Sequence, residues 1–337
     1  VKTVVAVLTY RRPVDLAEVL PQLVAQATSV EHHDVRVLVV DNDPDAGARA
    51  TVAEHAARTA EAARTAEAAG AVSAAGAGTA ATLTAPVVPV VHTHEPRPGI
   101  AAARNRALAE AFAAGDDLLV FIDDDERPEG DWLRALVTLH ERTGAGAVVG
   151  PVVSRFPAPL DPWIAAGGFF DRRRLPTGTA VEVAATNNLL LDLRQLKAAG
   201  TTFDERFGIT GGSDTLFTRE LHARGMQMLW CDEAVVTDVV PVARATRSWV
   251  LRRALRSGNA WSRTTLVLQP APTGRAVARA RLTALGTTRA AAGALRFCAG
   301  AATGRTGWRA SGARTAARGA GMLMGAWGMA YAEYRRG

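Results

Sequence analysis

Three consecutive aspartates, Asp123, Asp124 and Asp125, and then Glu126 stand directly behind the apolar run 119–122, Leu-Val-Phe-Ile. Adjacent carboxylates repel one another, and holding them together costs free energy unless a cation or a set of donors neutralises them. Asp123 and Asp125, two residues apart, can both face one ion. Their hard oxygen donors suit a divalent cation, which would bridge to a diphosphate. Arg11 or Arg104 would add positive charge there. A second polar group, Asp41-Asn42-Asp43, and a third, Thr9-Tyr10-Arg11-Arg12, each end an apolar run in the same way. In GIAAARNRAL, residues 99–108, a glycine opens a helix whose first turns carry Arg104, Asn105 and Arg106, an arrangement that can offer donors to an anion. Further on, TNN at 186–188 precedes an apolar run, and Gly211-Gly212-Ser213-Asp214 leads into a helix. Asp214 there is either a helix N-cap or a carboxylate placed for proton abstraction, and the residues alone leave both open.

These clusters need a scaffold that brings them together. Short β-rich runs at residues 3–9, 35–41, 87–93, 118–123 and 147–153 alternate with helical stretches, the pattern of a mostly parallel α/β sheet. Residues 13–27 place Leu16, Val19, Leu20 and Leu23 at helical spacing, and residues 99–114 form another helix. In such a sheet, ligands bind beyond the carboxyl ends of the strands, which is where the three polar groups fall. The six-residue repeat within 57–70 and the Ala/Gly-rich stretch after it have too little bulk for a core, so an exposed helix and flexible insertion are expected over about 53–85.

The net charge of +6 conceals an asymmetry. Up to Asp238 there are 22 Lys and Arg against 32 Asp and Glu; beyond it, 17 Arg against Glu333 alone. A basic block on an acidic body predicts an anionic partner for residues 241–337, either phospholipid headgroups or nucleic acid. Few aromatics interleave with the tail's charges, so nucleic acid is not expected. The uncharged run 319–332 is shorter than the roughly 20 residues a helix needs to cross a bilayer. It reads as an interfacial or re-entrant helix, with Trp327 and Tyr331 at headgroup level, or as an ordinary packing helix. Cys231 and Cys298 have no metal-ligand or redox spacing, and a reducing compartment fits. The start, VKTVVAVLTYRRP, reads as a strand rather than a signal peptide.

In order along the chain, TYRRP, VVDND, EPRPGIAAARNRAL, FIDDDERP, a Trp-Leu pair, TNN before an apolar run, and TGGSDTLF resemble family 2 glycosyltransferases of the GT-A fold. They are most like the exopolysaccharide glucosyltransferases of the succinoglycan type. The resemblance runs from about Thr3 to Trp261, including VPVARATRSWVLRRALRSGNAW, and leaves most of the basic tail uncovered. It implies a mostly parallel mixed sheet flanked by helices over residues 1–240, with a basic helical extension. It also implies an inverting transfer from a nucleotide sugar, usually a UDP-sugar, with Mn²⁺ or Mg²⁺.

Thr9, Tyr10 and Arg11, with Asp41 and Asp43, would lie around the nucleoside, and Arg104, Asp123 and Asp124 would face the ribose or diphosphate. Asp123 and Asp125 match the DxD metal motif, with Asp238 as an additional ligand where many members have a histidine. Asp214 falls at the catalytic base. Asn188, Gly212 and Ser213 would face the acceptor, Ser213 standing where the family commonly has a glutamate.

The leading expectation is therefore a glycosyltransferase acting on a saccharide or lipid-linked acceptor. It would be cytoplasmic and peripheral at the inner face of the membrane, held to an anionic surface by its tail. A sugar-phosphate nucleotidyltransferase, which would have no use for a base at Asp214, and a non-enzymatic nucleic-acid or membrane-binding protein are the alternatives.

Overall fold

The computed structural model describes residues 1–74 and 88–330. In chain order the elements are β1 (Lys2–Thr9), α1 (Pro13–Thr28), β2 (Asp34–Asp41), α2 (Ala48–Ala74), β3 (Val90–His94), α3 (Ile100–Ala114), β4 (Leu118–Asp123), β5 (Glu126–Pro128), α4 (Trp132–Thr143), β6 (Ala147–Val149) and β7 (Val152–Arg155). They continue with α5 (Pro162–Ala166), β8 (Asn188–Asp192), α6 (Leu193–Ala199), α7 (Ser213–Ala223), β9 (Met228–Trp230), β10 (Val236–Val239), α8 (Arg247–Val267), α9 (Pro272–Ala302) and α10 (Thr306–Ala326).

Seven strands form one sheet in the order β3-β2-β1-β4-β8-β6-β9, in which β8 alone runs against its neighbours. On β1, Val5 and Val7 pack with Leu16, Leu20 and Leu23 of α1, while Val4, Ala6 and Leu8 join Ala103 and Ala107 of α3 on the opposite face. Burial on both faces explains why the central strands read as continuous apolar runs. Each fully buried Val or Leu contributes on the order of 1.5–3 kcal/mol. The parallel strands β1, β2 and β4 end side by side, in the registers Thr9 to Asp41 and Leu8 to Asp123. That alignment delivers the three polar clusters to one edge.

The run expected as one strand over 147–153 is two strands in two sheets. It breaks at Gly150-Pro151, because proline offers no N–H to a ladder. A side chain at Gly150 would come within 2.1 Å of the Ala234 carbonyl oxygen. Beyond the break, β7 joins a second sheet of order β5-β10-β7, where Asp238 stands opposite Glu126. The expected strand over 87–93 is β3; Val87 itself lies outside the described residues. The exposed helix expected within 57–70 is the outer part of α2, which begins earlier, at Ala48, where Ala48 and Val52 are buried in the core, and runs to Ala74. The remainder of that expectation, 75–85, lies outside the described residues.

Helices α8, α9 and α10 pack together at close range through glycine. On α9, Gly286, Gly293 and Gly300 recur every seven residues, and an added Cβ at Gly293 would lie 2.3 Å from the Ala316 nitrogen of α10. Likewise Gly321 and Gly325 of α10 meet the backbone carbonyls of Leu255 and Asn259 on α8. Residues 319–326 are thus interior helix, with Met322 and Ala326 buried. This corrects the interfacial or re-entrant reading for that stretch. Trp327 remains exposed, and Tyr331 lies outside the described residues. Among the described residues, no helix is long and apolar enough to cross a membrane. A small cluster of Trp163, Ile164, Val250 and Ala310 ties the bundle to α5.

Candidate active site

A cleft of about 650 Å³ opens at the carboxyl ends of β1 and β4, within the size range of small-molecule sites. Its walls include Thr9, Tyr10 and Arg11 from β1 and the turn after it, Asp123, Asp124 and Asp125 from β4 and its turn, Arg104 from α3, and Gly212, Ser213 and Asp214 from the start of α7. Asp238 on β10 closes the side nearest the bundle.

The acidic turn is held by arginines. The Arg12 guanidinium donates to Asp124 at 2.8 Å and reaches Asp125 at 2.6 Å, while Arg244, from the turn after β10, donates to Asp125 at 3.1 Å. Thr9 donates its hydroxyl proton to Asp124 at 2.7 Å. Glu126 is buried, accepts a bond from the Asp123 backbone N–H at 3.2 Å, and accepts another from the Asn187 side-chain amide. No donor bonds the Asp123 carboxylate among the described residues. Burial pushes its carboxyl up to about 7, with Arg104 opposing and Asp125 and Asp124 reinforcing the rise. Burial likewise raises Glu126, aided by Asp123 and Asp125, and raises Asp238, aided by Asp125.

Among the described residues no three His, Cys, Asp or Glu side chains converge as a ready metal site; Asp123, which no donor bonds, and Asp125, held by Arg12 and Arg244, are the carboxylates whose hard oxygens could take a divalent cation. Asp123 and Asp125 would be its nearest ligands. Asp238 belongs to the same acidic group, and Arg172 holds it at 3.0 Å.

Opposite the acids, α7 begins on a turn that only glycine adopts readily: Gly211 and Gly212 have φ of +76° and +98°. The turn exposes Asp214 in the first helical turn, where its carboxylate accepts the Thr215 N–H at 2.8 Å. Ser213 is buried and accepts a bond from Arg104 at 3.2 Å. Arg104 in turn stacks over Phe203, 5.5 Å from its ring centre, and Phe203 stacks on Phe217 of α7. That sequence of contacts fixes the guanidinium between the carboxyl cluster and the Gly-Gly turn.

Three expected site residues lie elsewhere. Asp41 has no wall in the cleft: its carboxylate accepts the N–H groups of Asp43 at 2.9 Å and Ala48 at 2.8 Å, folding the turn into α2. Asp43 pairs with Arg11 at 3.2 Å and supports the cleft through it. Between them Asn42 reaches the wall, accepting the Gly99 N–H and donating to the carbonyls of Glu95 and Arg97, so that it pins the EPRPG loop. Asn188, expected at the acceptor, is buried on β8; it donates to the carbonyls of Pro151 and Ala234 and accepts from the Trp132 ring N–H. It is a strut joining three segments, and Asn187 faces the cleft instead. Arg12, Asn42, Glu126, Asn187 and Arg244 were missed as site residues, although each is adjacent to or part of a quoted motif.

Residues 4–191 match the Glycosyl transferase family 2 pattern, more than half of the chain. The chain is also 31% identical over 261 residues to the succinoglycan biosynthesis protein ExoM of Rhizobium meliloti (strain 1021), covering 77% of this chain and 74% of that one. The chain belongs to glycosyltransferase family 2. Among solved structures, this glycosyltransferase is similar to mannosyltransferase PcManGT from Pyrobaculum calidifontis in complex with GDP-Man and Mn²⁺, with a TM-score of 0.59 at 17% identity over 96% of this chain and 87% of that one. It is also similar to GalNAc-T7 with UDP, GalNAc and Mn²⁺, with a TM-score of 0.51 at 12% identity over 78% of this chain and 47% of that one. The mixed sheet and its flanking helices are therefore the GT-A fold.

Proposed function

We propose that this glycosyltransferase moves one sugar from a nucleotide-sugar donor, a UDP-sugar first among the candidates, to a hydroxyl of a saccharide or lipid-linked acceptor, with inversion at the anomeric carbon. The observation that carries the reading is a single cleft with two chemically distinct walls: the acidic turn after β4 and a lone carboxylate, Asp214, across from it. The similar structures with GDP-Man or UDP and Mn²⁺ support a nucleotide donor with a divalent metal, and the ExoM relative supports an exopolysaccharide acceptor.

Asp214 accepts the acceptor's hydroxyl proton as that oxygen attacks the anomeric carbon, and the bond from that carbon to the donor phosphate breaks on the opposite face. Arg104 and Arg12 stabilise the negative charge that grows on the departing diphosphate, more strongly in the transition state than in the ground state. Mn²⁺ or Mg²⁺, held by Asp123 and Asp125 with Asp238 beside them, would supply further positive charge to that diphosphate. Thr9, Tyr10 and Arg11 line the donor side of the cleft, and Gly212 and Ser213 the acceptor side.

A membrane-surface role for the bundle fits α9. Val277, Leu285 and Leu295 are exposed on it, flanked by the exposed Arg275, Arg281, Arg289 and Arg296, with no acid on the helix. Apolar residues rimmed by arginine match an anionic bilayer, where a lipid-linked acceptor on the cytoplasmic side would be met. A panel of nucleotide sugars with Mn²⁺, read by release of nucleoside diphosphate, tests the enzyme. Metal-independent donor binding, or full activity of Asp214→Asn, would sink the mechanism.

A further inference from the structure

Two glycines have no side chains with which to fix a turn, so the position of Gly211-Gly212, and of Asp214 after it, must be set by what stands behind them. What stands behind them is α8. A Cβ added to Gly212 would lie 3.0 Å from the Ala260 Cβ and 3.5 Å from the Thr264 Cγ2, and one at Gly211 would lie 3.6 Å from the Arg256 Cδ. Just before the turn, the Arg263 guanidinium lies over the Phe207 ring at 4.6 Å, and the Phe207 carbonyl accepts the Gly211 N–H at 3.0 Å. Just after it, Arg219 of α7 donates to the Thr264 and Thr265 hydroxyls at 3.3 and 2.9 Å and lies over Trp261 at 4.5 Å. Arg256, Ala260, Arg263 and Thr264 are spaced i, i+4, i+7 and i+8, so a single face of α8 backs the segment from Phe207 to Arg219.

That face cannot retreat. Along the other flank of α8, Gly258 admits no Cβ because the Arg318 carbonyl of α10 occupies the space, and Gly321 and Gly325 of α10 meet the carbonyls of Leu255 and Asn259. Such close packing transmits a displacement instead of absorbing it. The front of the turn is open, since Gly212 and Asp214 line the cleft. Bulk added at Ala260 therefore moves the turn, and the carboxylate on it, towards the cleft. α8 lies beyond residues 4–191, the stretch that matches the family pattern.

We propose that α8 is the backing wall that positions the general base. Ala260 sets the depth of the Gly-Gly turn and Arg219 clamps α7 to the wall; both are positioning residues that act through Asp214. The basic extension is thereby part of the catalytic machinery. The proposal rests on the reading of Asp214 as the base.

Full-chain Ala260→Val and Arg219→Gln test it, with three measurements: nucleoside diphosphate release from UDP-glucose or GDP-mannose with Mn²⁺ and water as the acceptor, titration with UDP and GDP, and thermal melts. Misplacement by about 1 Å can cost about a hundredfold in rate, so kcat falls by about tenfold or more in Ala260→Val. UDP or GDP affinity moves less than about twofold, because the donor side of the cleft is untouched. Added to Asp214→Asn, Ala260→Val costs nothing further, since residues that act through one group are not additive. Arg219→Lys, which keeps a donor for the two hydroxyls, loses less than Arg219→Gln. Should Ala260→Val melt far below wild type, Arg219→Gln decides, since it removes contacts without adding bulk.

Wild-type kcat in both variants, a matching loss of nucleotide affinity, or a loss that multiplies that of Asp214→Asn overturns the proposal. Full activity of Asp214→Asn is a different result: it removes the base itself, and the wall then positions nothing.

Discussion

At the strand ends, Asp123, Asp124, Asp125, Glu126 and Asp238 crowd one cleft, whereas the helices α8 to α10 carry arginines and no acid at all. Each region stands in the other's field. Arg244 leaves the bundle side to hold Asp125, and Arg172 holds Asp238, so the like charges of each region are partly cancelled across the boundary. Charge of one sign is kept where a ligand of the other would complete it: on the proposed function, a cation with a diphosphate for the acids and an anionic surface for the arginines.

The largest effect that sharpens this contrast belongs to Asp214, which is outside both charge clusters. Asp214→Asn should lower kcat by roughly 10²- to 10⁴-fold, the usual range for a general base. Donor binding should be unchanged, as checked by transfer assay and nucleotide titration. Asp125→Ala should weaken Mn²⁺-dependent nucleotide binding by about a hundredfold, because it removes a metal-ligating carboxylate and leaves Arg12 and Arg244 without that partner. Equal affinity in wild type and variant would show that the acids do not hold a cation.

In the bundle, Gly293→Leu would force a side chain into the α10 backbone and should cost about 1–3 kcal/mol or more. It would lower the melting temperature while leaving Mn²⁺–nucleotide affinity intact at lower temperature. A matching loss of affinity would make the two regions one cooperative unit.

A gentler test uses pH. The carboxyls of Asp123, Asp124, Glu126 and Asp238 are raised in the folded protein, so folding binds protons and stability falls as pH rises from the ordinary carboxylate range towards 7. Without added metal, thermal melts should drop modestly between pH 5 and pH 8, and added Mn²⁺ should remove most of that drop. The smallest change should come from Leu295→Glu, which should weaken sedimentation with anionic liposomes while sparing catalysis on a soluble acceptor; unchanged sedimentation would remove α9 from the membrane reading.

Much of this was legible in the residues. The apolar runs of β1, β2 and β4 and the helical spacing of α1 place the polar clusters at one sheet edge, because parallel strands buried on both faces have little other way to be arranged. What escaped was phase. Neighbouring residues at a strand end point to opposite sides, so Asn187 faces the cleft while Asn188 braces Pro151, Ala234 and Trp132, and Asn42 reaches the wall while Asp41 folds its own turn.

Composition cannot supply that phase; the pairing register does. The break after Val149 was signalled by Gly150-Pro151 and overridden by the valines around it. The interior position of residues 319–326 depends on glycines of α8 and α9 more than 30 residues away, which no local reading of hydropathy contains.

Of the 31 residues of α9, Leu282 and three glycines are buried. Cohesion there comes from backbone meeting backbone, so most side chains of the helix are released from packing. Mutation can rewrite its outer surface without refolding the enzyme. In an engineered variant, α9 is the place to graft a tether, a tag or an altered surface charge while the chemistry at Asp214 stays as it is.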